Sequence, residues 1–185
     1  MALSLTDQQL VALPRASIAA LRAALLRDGG PEAAGYLQEA GYAAGPALFT
    51  AFGQWLRARG EPAPESLGVA RFEQLASEYF TESGWGSVTV GSLHDVVATL
   101  DAIDWWEDAV IGGESEHPGC DFTVGLLASF LGQVADQPLA VLQVEYRAAG
   151  SPRSRFLVGS AEVLDDVYHR MAGGTEYEAA VAGVE

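Results

Sequence analysis

Residues 138–147 alternate in a way that commits the chain to a sheet. Leu139, Val141, Gln143 and Glu145 fall on one side, and Ala140, Leu142, Val144 and Tyr146 on the other. Ala149-Gly150-Ser151-Pro152 then has the composition of a tight turn, and residues 153–158 return as a second strand. A strand that turns back this soon must pair antiparallel, because a parallel partner needs a crossover of about a dozen residues.

Helices and two further strands surround this hairpin. Residues 14–28 have Ile18, Leu21 and Leu25 at helical spacing, with Pro14 at the start and Gly29-Gly30 at the end. A second helix is expected over 31–59, its apolar face including Leu37, Tyr42, Leu48, Phe52 and Trp55. Gly35, Gly41 and Gly45 lie inside it. Each costs roughly 1 kcal/mol against Ala, which points to close helix–helix packing, or else to a kink near Pro46. A third helix is expected over 66–80, and strands over 86–93 and 102–111, with Trp105 and Trp106 facing opposite ways. A polar loop covers 112–119, a helix 122–134, and a closing helix 160–172 is capped by Ser160. The expectation is an α+β fold: an antiparallel sheet of about four strands packed by helices, with an N-terminal helical extension. It divides into a helical, dimerising region (1–64), a ligand-binding domain (65–172) and a flexible tail (173–185).

Charge excludes several functions. The chain has 185 residues, 25 acids and ten basic residues, all arginine, for a net charge of −15. Such a surface repels phosphate backbones, which excludes a nucleic-acid partner. Without lysine there is no Schiff-base or P-loop chemistry. The N-terminus lacks a signal-peptide pattern and no apolar run spans a bilayer, so the chain reads as soluble and cytoplasmic. Thirteen acids and no basic residue lie between Arg71 and Arg147. Arg147, Arg153 and Arg155 follow closely, either as strand-edge arginines or as a patch meeting the acidic stretch of another copy.

No catalytic set assembles. His94, His117 and His169 are not at metal spacing, and the acids beside Cys120 oppose thiolate formation. Pairs such as Glu107-Asp108 read as solvated faces. The aromatic residues are more informative. Phe72, Tyr79, Phe80, Trp85, Trp105, Trp106, Phe122 and Phe130 crowd one middle segment, as ordinary core or as the lining of an apolar cavity.

From Asp101 onward the chain resembles the 4-vinyl-reductase domain, a small hydrocarbon-binding module. Cys120-Asp-Phe122-Thr-Val-Gly125 matches the family's Cys-x-Phe-x-x-Gly. Val144-Glu145-Tyr146-Arg-Ala-Ala-Gly150-Ser-Pro-Arg-Ser154-Arg-Phe156 matches the spacing of its second half. The resemblance implies a fold similar to that of vesicle-tethering TRAPP subunits. It also implies a clasp position for zinc, which members hold with three cysteines and a glutamate. Here those positions carry Cys120, Gln143, Tyr146 and Ser154, so the clasp is degenerate and no metal or other cofactor is expected.

What the resemblance implies is a stand-alone module for a neutral aromatic, hydrocarbon or acyl ligand. The alternatives are a scaffold with a filled core, able to bind a protein partner, and an accessory to a vinyl reductase. The expected ligand site lies under the helix over 122–134. Trp85, Trp105, Trp106, Phe122, Leu126 and Phe130 are its candidates, with Trp106 favoured over Trp105 as the one pointing inward. A homodimer built on the N-terminal helices is expected as well.

Overall fold

The computed structural model describes residues 13–111 and 117–184. Three helices come first: α1 (Arg15–Gly29), α2 (Ala33–Ala58) and α3 (Val69–Glu82). A hairpin of β1 (Ser87–His94) and β2 (Val97–Ile103) follows, then a short α4 (Asp108–Ile111) and the long α5 (Asp121–Ala135). The chain closes with β3 (Ala140–Glu145), β4 (Ser154–Gly159), α6 (Ala161–Ala172) and α7 (Tyr177–Ala182). The four strands form one antiparallel sheet in the order β1-β2-β4-β3. The expected α+β fold is the fold found.

Alternation along the strands feeds two cores. Leu100, Ala102, Phe156 and Val158 point to one face, where α2, α3 and α5 supply Phe52, Leu56, Leu75, Phe80, Leu126 and Phe130. Leu157 and Val97 point to the other face and meet Leu164 and Val167 of α6 and Ala180 and Val181 of α7. Burying a side chain the size of Phe156 contributes about 3 kcal/mol. α6 starts where expected, the Ser160 hydroxyl accepting from the Val163 amide at 3.3 Å.

The α2–α5 crossing explains two of the three glycines. A Cβ on Gly41 would meet the Phe122 carbonyl oxygen and one on Gly45 the Ser129 side chain, and from the α5 side one on Gly125 would meet the Gln38 carbonyl oxygen. The two backbones therefore touch where any larger residue would hold them apart. Gly35 faces open space and has no such reason. α2 belongs to the main core through this crossing.

Three other expectations are corrected. The second strand is not 102–111 but Val97–Ile103. Asp104 takes a left-handed backbone (φ 53°), which breaks the strand before Trp105. The tail is not frayed throughout: Tyr177–Ala182 is helical and buries Ala180 and Val181. Arg153 and Arg155 are committed within the chain. Arg153 binds Glu145 at 2.9 Å, and Arg155 binds Asp101 at 2.7 Å across the β2–β4 register. Arg147 donates to the Pro152 carbonyl at 2.9 Å. Arg153 and Arg155 are therefore paired within the sheet, Arg155 on the central strand β4 rather than at an edge. Residues 1–12 and residues 112–116 of the polar loop lie outside the described residues. No helix among the described residues is long and apolar enough to cross a membrane.

Candidate functional site

The turn after β2 carries two tryptophans, and both are buried, Trp105 at 1% and Trp106 at 8% exposure. Strand alternation would have sent one outward. A turn imposes no such rule, so the expectation that only one faces inward does not hold. Trp106 sits between two half-buried rings, 5.9 Å from Trp85 and 5.7 Å from Phe122, edge to face with each. Its backbone amide donates to the Trp85 carbonyl at 2.8 Å, fixing the turn against the start of β1. Trp105 lies 5.9 Å from Trp85 and 5.4 Å from Phe80.

Of the six candidates, Trp85, Trp105, Trp106 and Phe122 form one string of rings. Phe130 is deeper, edge to face with Phe52 at 5.7 Å and Phe80 at 6.0 Å. Leu126 is buried one helical turn from Phe122 and from Phe130. The Trp106 Nε1 donor is buried and has no hydrogen-bond partner among the described residues.

The first turn of α5 is held by a residue that the sequence placed on a solvated face. Glu107 is 1% exposed, and its carboxylate accepts from the Phe122 amide at 3.1 Å and the Thr123 amide at 2.8 Å. The Thr123 hydroxyl adds a 2.5 Å contact and itself accepts from Trp105 Nε1 at 2.8 Å. These two amides belong to the helix end that has no intrahelical acceptor, and the helix dipole favours a carboxylate there. Burial nevertheless dominates and pushes the Glu107 carboxyl up to about 7. The solvated-face reading of Glu107-Asp108 is therefore corrected.

Asp108 joins three of the four degenerate clasp positions. Its Oδ1 accepts from the Ser154 hydroxyl at 2.8 Å and from the Cys120 thiol at 3.4 Å. Gln143 completes the circuit, accepting from the Cys120 amide at 3.0 Å and donating to Ser154 Oγ at 3.3 Å. Tyr146 is half-buried just past β3. This donor set does not fit structural zinc. It offers one thiol, an amide, a hydroxyl and a carboxylate. Burial, Glu107 and Asp108 all raise the thiol pKa away from the thiolate a metal needs. Asp108 Oδ2 is buried and unpartnered among the described residues, and burial raises that carboxyl as well.

No family's sequence model matches this chain, and no curated protein matches it. Solved structures do. The phenol-responsive sensory domain of the transcription activator PoxR, solved with phenol, aligns with a TM-score of 0.67 at 19% identity. That alignment covers 88% of this chain and 82% of the other. A vinyl-4-reductase family protein from Methanocaldococcus jannaschii aligns with a TM-score of 0.48 at 18% identity, over 66% of each chain. The chain shares the fold of the sensory domain, as the sequence resemblance implied.

Proposed function

We propose that this chain is a non-catalytic, cytoplasmic module that binds one small neutral aromatic molecule against Trp85, Trp106 and Phe122. The observation that carries the reading is the buried Trp106 Nε1 without a partner among the described residues, set between two half-buried aromatic rings. An unsatisfied buried donor costs about 1–3 kcal/mol, which a ligand oxygen would recover. The rings would take the rest of an aromatic ligand, and the fold shared with a phenol-responsive domain supports the same class. Trp fluorescence titration with phenol and with toluene tests it. Phenol binds about tenfold tighter than toluene in the wild type, and Trp106→Phe removes the difference. Equal affinities in the wild type, or no binding of either, would overturn the reading.

A scaffold with a filled core is the second reading. It is favoured by the continuous edge-to-face contacts running from Phe52 through Tyr79, Phe80 and Trp105 to Trp85 and Trp106. A homodimer through the N-terminal helices fits either reading. Leu21 and Leu26 of α1 and Tyr36 and Tyr42 of α2 are exposed, an apolar surface that a second copy would cover.

A further inference from the structure

The α1 helix is attached to the rest of the fold in an unusual way. It has no fully buried residue. Its inward face carries Arg15, Ile18 and Arg22, spaced three and four apart. The Arg15 guanidinium donates to the Gly84 carbonyl at 2.6 Å, and the Arg22 guanidinium donates to the Gly119 carbonyl at 3.0 Å. Ile18, between them, packs against the main core. Each carbonyl lies on a segment that presents one of the half-buried rings. Gly84 precedes Trp85, and Gly119 stands three residues before Phe122.

The dimensions agree. Arg15 and Arg22 are about 10 Å apart along the helix axis. Trp85 and Phe122 stand on either side of Trp106, with ring centroids 5.9 and 5.7 Å from it. The helix therefore bridges the two segments that flank the exposed edge of the aromatic string. At its far end α1 runs into Gly29-Gly30, and Gly30 holds a left-handed backbone (φ 55°) with open space around it. That is a joint able to turn without a clash.

We propose that α1 is a lid over the Trp85–Trp106–Phe122 site, latched at both ends by Arg15 and Arg22 to backbone carbonyls and hinged at Gly29-Gly30. Its purpose rests on the ligand reading above: entry and exit of the ligand require the two latches to release. The latches hold backbone oxygens of the two segments that present the rings. Burial raises the Asp121 carboxyl in the first turn of α5, and the Arg22 charge works against that rise.

Two measurements on the full chain test this without any ligand, so a failed titration and a failed lid are told apart. The first is acrylamide quenching of Trp emission in the wild type and in Arg15→Ala/Arg22→Ala. The quenching constant rises at least about twofold in the variant, with the far-ultraviolet circular dichroism unchanged. The second is hydrogen exchange of the wild type, which needs no variant. The amides of α1 exchange at least about tenfold faster than those of α2 and α5, as one cooperative unit. Quenching equal to the wild type, or protection of α1 equal to that of α2, would overturn the lid.

Discussion

Ser154 on β4 donates its hydroxyl to Asp108 Oδ1 at 2.8 Å, joining residues 46 apart in sequence. With Cys120 and Gln143 it ties the start of α5 to the β3–β4 hairpin by hydrogen bonds alone. Three of the four positions that the resemblance assigns to a metal clasp are here bridged through a carboxylate from α4.

The protein is therefore expected to purify without stoichiometric zinc and to keep its melting temperature in chelator. Ser154→Ala removes a hydrogen bond to a charged, partly buried group and lowers stability by about 2 kcal/mol. Elemental analysis checks the first point and urea denaturation the second. About one zinc per chain, lost on Cys120→Ser, would contradict the account.

Glu107 sets a pH dependence whose direction follows from its environment. Its carboxyl titrates near its ordinary 4.5 when unfolded and at about 7 in the fold. Below pH 4.5 both states are protonated and the fold bears no penalty. Between 4.5 and 7 the unfolded chain ionises while the buried group stays protonated, so stability falls across that interval, by up to about 3 kcal/mol, and is level above it. Urea denaturation of wild type and Glu107→Gln from pH 4.5 to 8 reads this out. Wild type declines relative to the variant across that window, and parallel profiles would show that burial does not control this carboxyl.

The α2–α5 crossing gives a contrast between glycines. Gly41→Ala and Gly125→Ala force backbones apart and each costs at least about 2 kcal/mol. Gly35→Ala meets nothing and stabilises the helix by up to about 1 kcal/mol. Equal effects at the three sites would refute the close crossing.

Much of this arrangement was readable in the sequence, and the misses have physical causes. The hairpin around Gly150 and the helix after Ser160 have local signals, alternation and a cap, that no distant contact overrides. Gly35, Gly41 and Gly45 in α2 pointed to close packing or a kink, and Gly41 and Gly45, though not Gly35, meet α5. The strand before Trp105 was displaced because tryptophans have high β propensity, while the left-handed Asp104 that ends the strand leaves no pattern. The helix at Tyr177 buries only small residues and so shows no apolar stripe. Glu107 and Asp108 look like surface acids until α5 and β4 fold over them. Their burial is a tertiary fact with no local signature.

Light scattering at micromolar concentration addresses the N-terminal helices. The exposed Leu21, Leu26, Tyr36 and Tyr42 lead to a dimer, which Leu21→Glu with Leu26→Glu converts to a folded monomer. A wild-type monomer would contradict this assembly.

Native mass spectrometry of the gently purified chain, before and after equilibration with benzyl alcohol, tests the central claim most directly. Ligand binding predicts one additional small neutral mass per chain, with occupancy reduced about tenfold in Trp106→Phe. The bare chain mass under both conditions, from protein that retains its fold, would contradict it and leave the scaffold with a filled core.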